Sequence, residues 1–139
     1  MKKLFLALLL VSGVAFGQAT NKIVSPLVSA VQTATTVNSA DQGNFYFQCA
    51  HFVVNVSAYT SGNYTPHIQG KDAVAGIYYD ILVGPAISAT GTTILKVCPG
   101  ISPLANGASN DMLPGGWRVQ LAGAATPSMT ISVDALMDY

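Results

Sequence analysis

Residues 128–137 read SMTISVDALM. Met129, Ile131, Val133, Ala135 and Met137 fall on one side of a two-residue period. Ser128, Thr130, Ser132 and Asp134 fall on the other, with Leu136 the exception. A strand turns successive side chains to opposite faces, so a period of two held this long predicts a strand with one dry and one wet face. The rule recurs upstream. In GWRVQLA, 116–122, Trp117, Val119 and Leu121 oppose Arg118 and Gln120, and in TTILKVC, 92–98, Leu95 and Val97 oppose Lys96. Gly and Pro clusters fall between such runs: VGPA near 84, CPGISP near 99, LPGG near 114 and ATP near 126. Short strands punctuated this way predict an all-β chain built as a single antiparallel β-sandwich, of jelly-roll or immunoglobulin-like type.

Composition agrees. Charged residues make up only 9% of the chain, all six acids are aspartate, and Glu is absent. The residues that stabilise exposed helices are therefore scarce, while Thr, Val, Ile and Tyr favour strands. Within SGNYTPHIQGKDAVAGIYYDILVG, 61–84, a hairpin is expected, with a strand at HIQG, a turn at KDAVAG and a strand at IYYDILV. The segment IVSPLVSAVQTATTV, 23–37, reads as extended, although Ser25-Pro26 also resembles a helix cap with a first-turn proline. In FYFQCAHFVVNVSAY, 45–59, the apolar set sits on odd positions at Phe45, Phe47 and Cys49 and on even ones at Ala50, Phe52, Val54 and Val56. Either a β-bulge shifts the phase near Cys49–His51, the preferred reading, or both faces are covered, one of them by a neighbouring subunit.

The amino terminus, MKKLFLALLLVSGVAFGQA, has a different character. Lys2 and Lys3 precede an apolar run from Leu4 to Phe16, and Ala15-Phe16-Gly17 offers small residues for cleavage before Gln18; Gly17-Gln18-Ala19 would move the start to Thr20. This signal-like apolar helix is shorter than the roughly 20 residues of a membrane span. Residues 1–19 are accordingly expected to be a cleaved signal peptide, with no stable membrane insertion afterwards. Residues 20–139 form one domain that opens with an extended segment, 20–43. Removing Lys2 and Lys3 leaves four basic residues against six aspartates, a net charge of −2. Nucleic-acid binding is not expected of such a chain, which has no basic stripe to neutralise phosphates.

Chemistry-bearing motifs are few. No GxSxG, HExxH, phosphate loop or dinucleotide fingerprint occurs. His51 and His67 have no local partner, and Asp72, Asp111 and Asp138 lie in or beside turn-like segments where Asp caps backbone amides. No catalytic residue, cofactor or metal is expected; a calcium site at Asp72 and Asp80 would have too few carboxylates. Cys49 and Cys98 are an even pair in an exported chain and are expected to bridge, the alternative being two buried thiols. Zinc is not expected, because neither cysteine has a CxxC-type neighbour. Tyr46, Tyr59, Tyr64, Tyr78, Tyr79 and Trp117 could stack on sugar rings, or could serve subunit contacts with the ring buried and the polar group wet.

A series of elements runs through residues 53–137: Ile68-Gln69-Gly70, Tyr79-Asp80-Ile81-Leu82, Thr90-Gly91-Thr92-Thr93, Val97-Cys98-Pro99-Gly100 and Leu113-Pro114-Gly115-Gly116-Trp117-Arg118. In that order they resemble the small β-sandwich structural proteins, capsid-associated or of decoration type, encoded among the virion genes of tailed bacteriophages. The resemblance implies a non-enzymatic virion subunit with no catalytic residues. Its partners would be copies of itself and other virion subunits. The leader and the cysteine pair keep a second class open, an exported surface-fibre subunit that pairs strands with its neighbours. A third is a secreted module binding surface polysaccharide. The expected location is a virion or the extracellular space.

Overall fold

The computed structural model describes residues 21–44 and 46–139, so the signal-like segment and Phe45 lie outside the described residues. Among the described residues eight strands follow one another: β1 Lys22–Gln32, β2 Thr36–Asn38, β3 Gln42–Gly43, β4 Cys49–Lys71, β5 Tyr78–Val83, β6 Gly91–Val97, β7 Ala108–Ser109 and β8 Gly116–Asp138. All belong to one sheet, antiparallel except where β7 runs beside β6. The all-β, mainly antiparallel character predicted by the alternation is what the chain forms.

The architecture is a four-stranded ribbon folded across its middle. Its two inner strands, β4 and β8, are each 23 residues long and pair antiparallel from Cys49 opposite Asp138 to Gly70 opposite Trp117. Along the free side of β8 run β1, then β2 and β3. Along the free side of β4 run β5, a bridge from Tyr64 to Ile87, and β6. Gly70 lies 18 residues beyond Phe52, so on a straight strand their positions would be on the order of 60 Å apart. Yet Trp117, paired with Gly70, meets Phe52 edge to face with ring centroids 5.4 Å apart. The ribbon therefore doubles back, and its two halves share one hydrophobic core. Phe52, Val54, Leu95, Ile131 and Val133 come from one half, and Tyr64, Ile68, Trp117, Val119 and Leu121 from the other.

Bulges make the fold-over. Register shifts lie between Val56 and Ala58, Tyr59 and Ser61, and Ser61 and Asn63. An unpaired extra residue bends its strand and increases the local twist. Ala125-Thr126-Pro127 sits at this bend, inside β8, rather than forming a turn between two separate strands as the ATP cluster predicts. The stacked shifts concentrate the bending there, so hydrogen bonding resumes on both sides. Gly62, at φ 72°, is tight: a Cβ would come within 2.6 Å of Pro127 Cα and 2.9 Å of the Ala125 carbonyl oxygen. Opposite it, Ala125 holds φ 50°, which costs an L-residue about 1 kcal/mol. The two positions should respond with opposite sign. Ala125→Gly is expected to raise the thermal midpoint and Gly62→Ala to lower it, in melts followed by circular dichroism.

The phase change at Cys49–His51 has a different origin from the expected bulge. Pairing with β8 is unbroken from Cys49 to Val56, so the even set Ala50, Phe52, Val54 and Val56 faces the core without interruption. Tyr46, Phe47 and Gln48 precede the strand and belong to no strand. Buried Asn44 organises them: its side-chain amide donates to the carbonyls of Phe47 and Leu113 at 2.7 and 2.6 Å, and its Oδ1 accepts from Phe47 N–H at 2.9 Å. Phe47 then packs against Tyr139. The segment read as extended, 23–37, is strand in β1 and β2 but breaks between them at 33–35, and the hairpin with its turn after Lys71 forms as expected.

Candidate functional site

Two groupings of polar side chains stand out, one on the outer face of each half of the ribbon. The larger spans β2, β8, β4 and β5, with Asp41 from the link between β2 and β3. Strand alternation turns His67, Gln69 and Lys71 of β4 away from the core, and Arg118 and Gln120 of β8 stand beside them through the register His67–Gln120 and Gln69–Arg118. Asp80 joins because of a bulge. Ile68 pairs with Leu82 but Gln69 pairs with Asp80, so Ile81 is the extra residue. Without it, Asp80 would share the inward face of Leu82. With it, the carboxylate turns outward, accepting from Gln69 Nε2 at 2.9 Å and lying 3.0 Å from His67 Nδ1.

The network continues sideways. Arg118 Nε donates to Gln69 Oε1 at 2.8 Å while its guanidinium lies 3.5 Å from the centre of the Tyr78 ring. Tyr78 donates its hydroxyl to Asp41 Oδ1 at 2.6 Å, and Lys71 Nζ reaches Asp41 Oδ2 at 2.5 Å. Gln120 donates to Asn38 at 2.9 Å. These contacts bind four strands across one face, and the side chains serve mainly as one another's partners.

The hydrogen bonds from Lys71 and then Tyr78 hold the Asp41 carboxyl below its usual range, and the same Asp41 contact raises Lys71 above its own. A depressed carboxylate stabilises the fold above its unfolded pKa, near 4, and that contribution is lost as pH falls through the lower folded value. A raised lysine contributes below about pH 10.4 and loses its contribution as pH rises through the higher folded value. The stability gap between the wild-type chain and Asp41→Asn should therefore be constant between about pH 5 and 9 and narrow below about pH 4 and above about pH 11. Urea midpoints across that range would test it.

The smaller grouping lies at the start of β4. Cys49 and Cys98 are joined as the expected disulfide, closing a separation of 49 residues. Ala50 pairs with Val97, which sets the two cysteines opposite one another at the mouth of adjacent antiparallel strands. His51, two residues along β4, projects to the same face as Cys49, and the donor atoms of Cys49, His51 and Cys98 all lie within 4.8 Å of one another. The sequence signal for His51 beside the bridge is the Cys-x-His spacing on a strand, where positions i and i+2 share a face.

Other candidate residues are dispersed. Asp72 Oδ1 accepts from the amides of Val74 and Ala75 in the turn after β4, and Asp80 faces His67, so the two carboxylates do not form a common calcium site. Asp111 and Asp138 accept from the backbone amides that follow them. Trp117 and Tyr64 are buried and Tyr78 is covered by Arg118, which removes all three from any sugar-stacking surface. Of the exposed candidate tyrosines, Tyr46 stands just before β4 and Tyr59 lies at the bend, whereas Tyr79 pairs with Gly70, on the order of 30 Å farther along the strand than Tyr59. No protein-family model, characterised protein or solved structure matches the chain.

Proposed function

We propose that the chain is a non-enzymatic structural subunit that works by packing against copies of itself, in a virion-type particle of the kind built by tailed phages. The observation that carries this reading is the state of the ribbon's two outer borders. Along β1, Ile23, Val28 and Val31 are 71%, 72% and 66% exposed, and no residue of that strand is fully buried. On the opposite border Ile94 and Leu104 stand exposed around a groove of about 380 Å³ that Ile101 also lines. An edge strand with apolar side chains is a surface that a stable subunit ordinarily covers. Pro26 and two register irregularities interrupt β1, which favours side-chain packing there over addition of a long continuous strand. The folded ribbon, with two halves facing across one core, is compatible with the sandwich that the phage resemblance implies.

A surface-fibre subunit is the second reading, and the Cys49–Cys98 bridge favours it, since such bridges persist in oxidising, extracellular settings. Among the described residues no helix is long and apolar enough to cross a membrane. Light scattering and negative-stain microscopy of the mature chain separate the readings. Closed rings or small oligomers are expected for a virion subunit, and filaments would favour the fibre. In the first case Val28→Lys and Ile94→Lys should dissociate the assembly while leaving the circular-dichroism spectrum unchanged. A protein that stays monomeric at about 100 µM would overturn both.

A further inference from the structure

We propose that Cys49, Cys98 and His51 form a metal site when the disulfide is reduced, one that takes a single thiophilic cation such as Zn²⁺. The proposal is independent of how the subunit assembles. In the bridged state each sulfur is bonded to the other and neither is a thiolate, so the site is closed. Reduction by a thiol or phosphine supplies two electrons, breaks the S–S bond and leaves two thiols. Binding of Zn²⁺ then displaces one proton from each thiol.

Geometry carries the argument. Three donor atoms from two adjacent strands already lie within 4.8 Å of one another. Zinc binds thiolate at about 2.3 Å and imidazole at about 2.0 Å, which places tetrahedral ligands about 3.5–3.8 Å apart. Opening the bridge moves the sulfurs toward that spacing without separating the strands, because Ala50–Val97 and His51–Lys96 remain paired behind them. Strand alternation holds the His51 side chain on the face of Cys49, so the nitrogen donor is in place before the metal arrives. Two sulfurs and one imidazole suit zinc over magnesium or calcium, which prefer oxygen. The fourth position is left to water. Cys98 is nearly buried, and Cys49 and His51 are half-buried, so the site is shielded yet reachable from the outer face. Metal and disulfide thus tie the same two points of the sheet under opposite redox conditions.

The test uses the mature chain, oxidised or reduced with a phosphine, titrated with Zn²⁺ against a chromophoric chelator. The reduced protein should bind one equivalent, and the oxidised protein at least 100-fold more weakly. His51→Ala should weaken binding by the reduced chain at least tenfold, and Co²⁺ should give the intense visible bands of a tetrahedral thiolate site. If the reduced chain loses its strand signal in circular dichroism, Zn²⁺ should restore it. Failure of a folded reduced chain to bind stoichiometrically, equal affinity in His51→Ala, or no recovery of a reduced unfolded chain on adding Zn²⁺ would each overturn the proposal.

Discussion

Trp117→Ala should lower the stability of the domain by about 3–5 kcal/mol in urea unfolding, a large share of the 5–15 kcal/mol typical of whole domains. Trp117 is fully buried at the point where the two halves of the ribbon meet, edge to face with Phe52. Truncation opens a cavity between two halves of the ribbon whose backbones are held by their own hydrogen bonds, so collapse around it is limited. It is the single tryptophan, so unfolding must be followed by circular dichroism. Trp117→Phe should behave differently from a simple loss of volume. Among the described residues the buried indole Nε1 has no hydrogen-bond partner, and an unsatisfied donor costs about 1–3 kcal/mol. Phenylalanine removes that cost while keeping a ring against Phe52, so its penalty should be less than half that of alanine. Equal penalties for the two variants would show that the orphan donor carries no energetic weight.

Loss of the disulfide is the other large effect. Cys49 and Cys98 are 49 residues apart in sequence, and closing a loop of that size stabilises a fold by about 4 kcal/mol in the chain-entropy model. The Cys49→Ser/Cys98→Ser double variant should accordingly unfold at a much lower urea concentration than the oxidised chain. Because the bridge acts largely by limiting the unfolded ensemble, the strand signal of the folded state should persist at low temperature. The wild-type chain reduced in the presence of a chelator should lose a similar amount, which keeps any contribution of metal out of the comparison. A double variant within about 1 kcal/mol of the oxidised protein would contradict the loop-closure account.

Much of the core was readable from alternation. Trp117, Val119 and Leu121, then Met129, Ile131, Val133, Ala135 and Met137, are all buried, while Leu136, the exception in the pattern, is exposed. The hairpin around KDAVAG was legible because Gly and Asp mark a turn between two apolar runs, and Asp72 does cap that turn. The outer polar face was much less so. Asp80 reaches His67 and Gln69 because Ile81 is a bulge residue, and a bulge exists only relative to the register of a partner strand. Gln69 and Arg118 are 49 positions apart in the chain and meet only because β4 and β8 pair.

The same distinction divides the whole molecule. By itself the sequence determined that the chain is all-β and which face of its alternating runs at 92–98, 116–122 and 128–137 is dry. Those are consequences of local backbone geometry, whose two-residue period is written in consecutive residues. Only the tertiary structure decided that Ala125-Thr126-Pro127 lies within a continuous strand, that the ribbon folds so Phe52 meets Trp117, and that His51 stands with Cys49 and Cys98. Each depends on the register between strands distant in the chain, and register is set by the summed packing of the core against several bulges, which no single stretch of residues encodes.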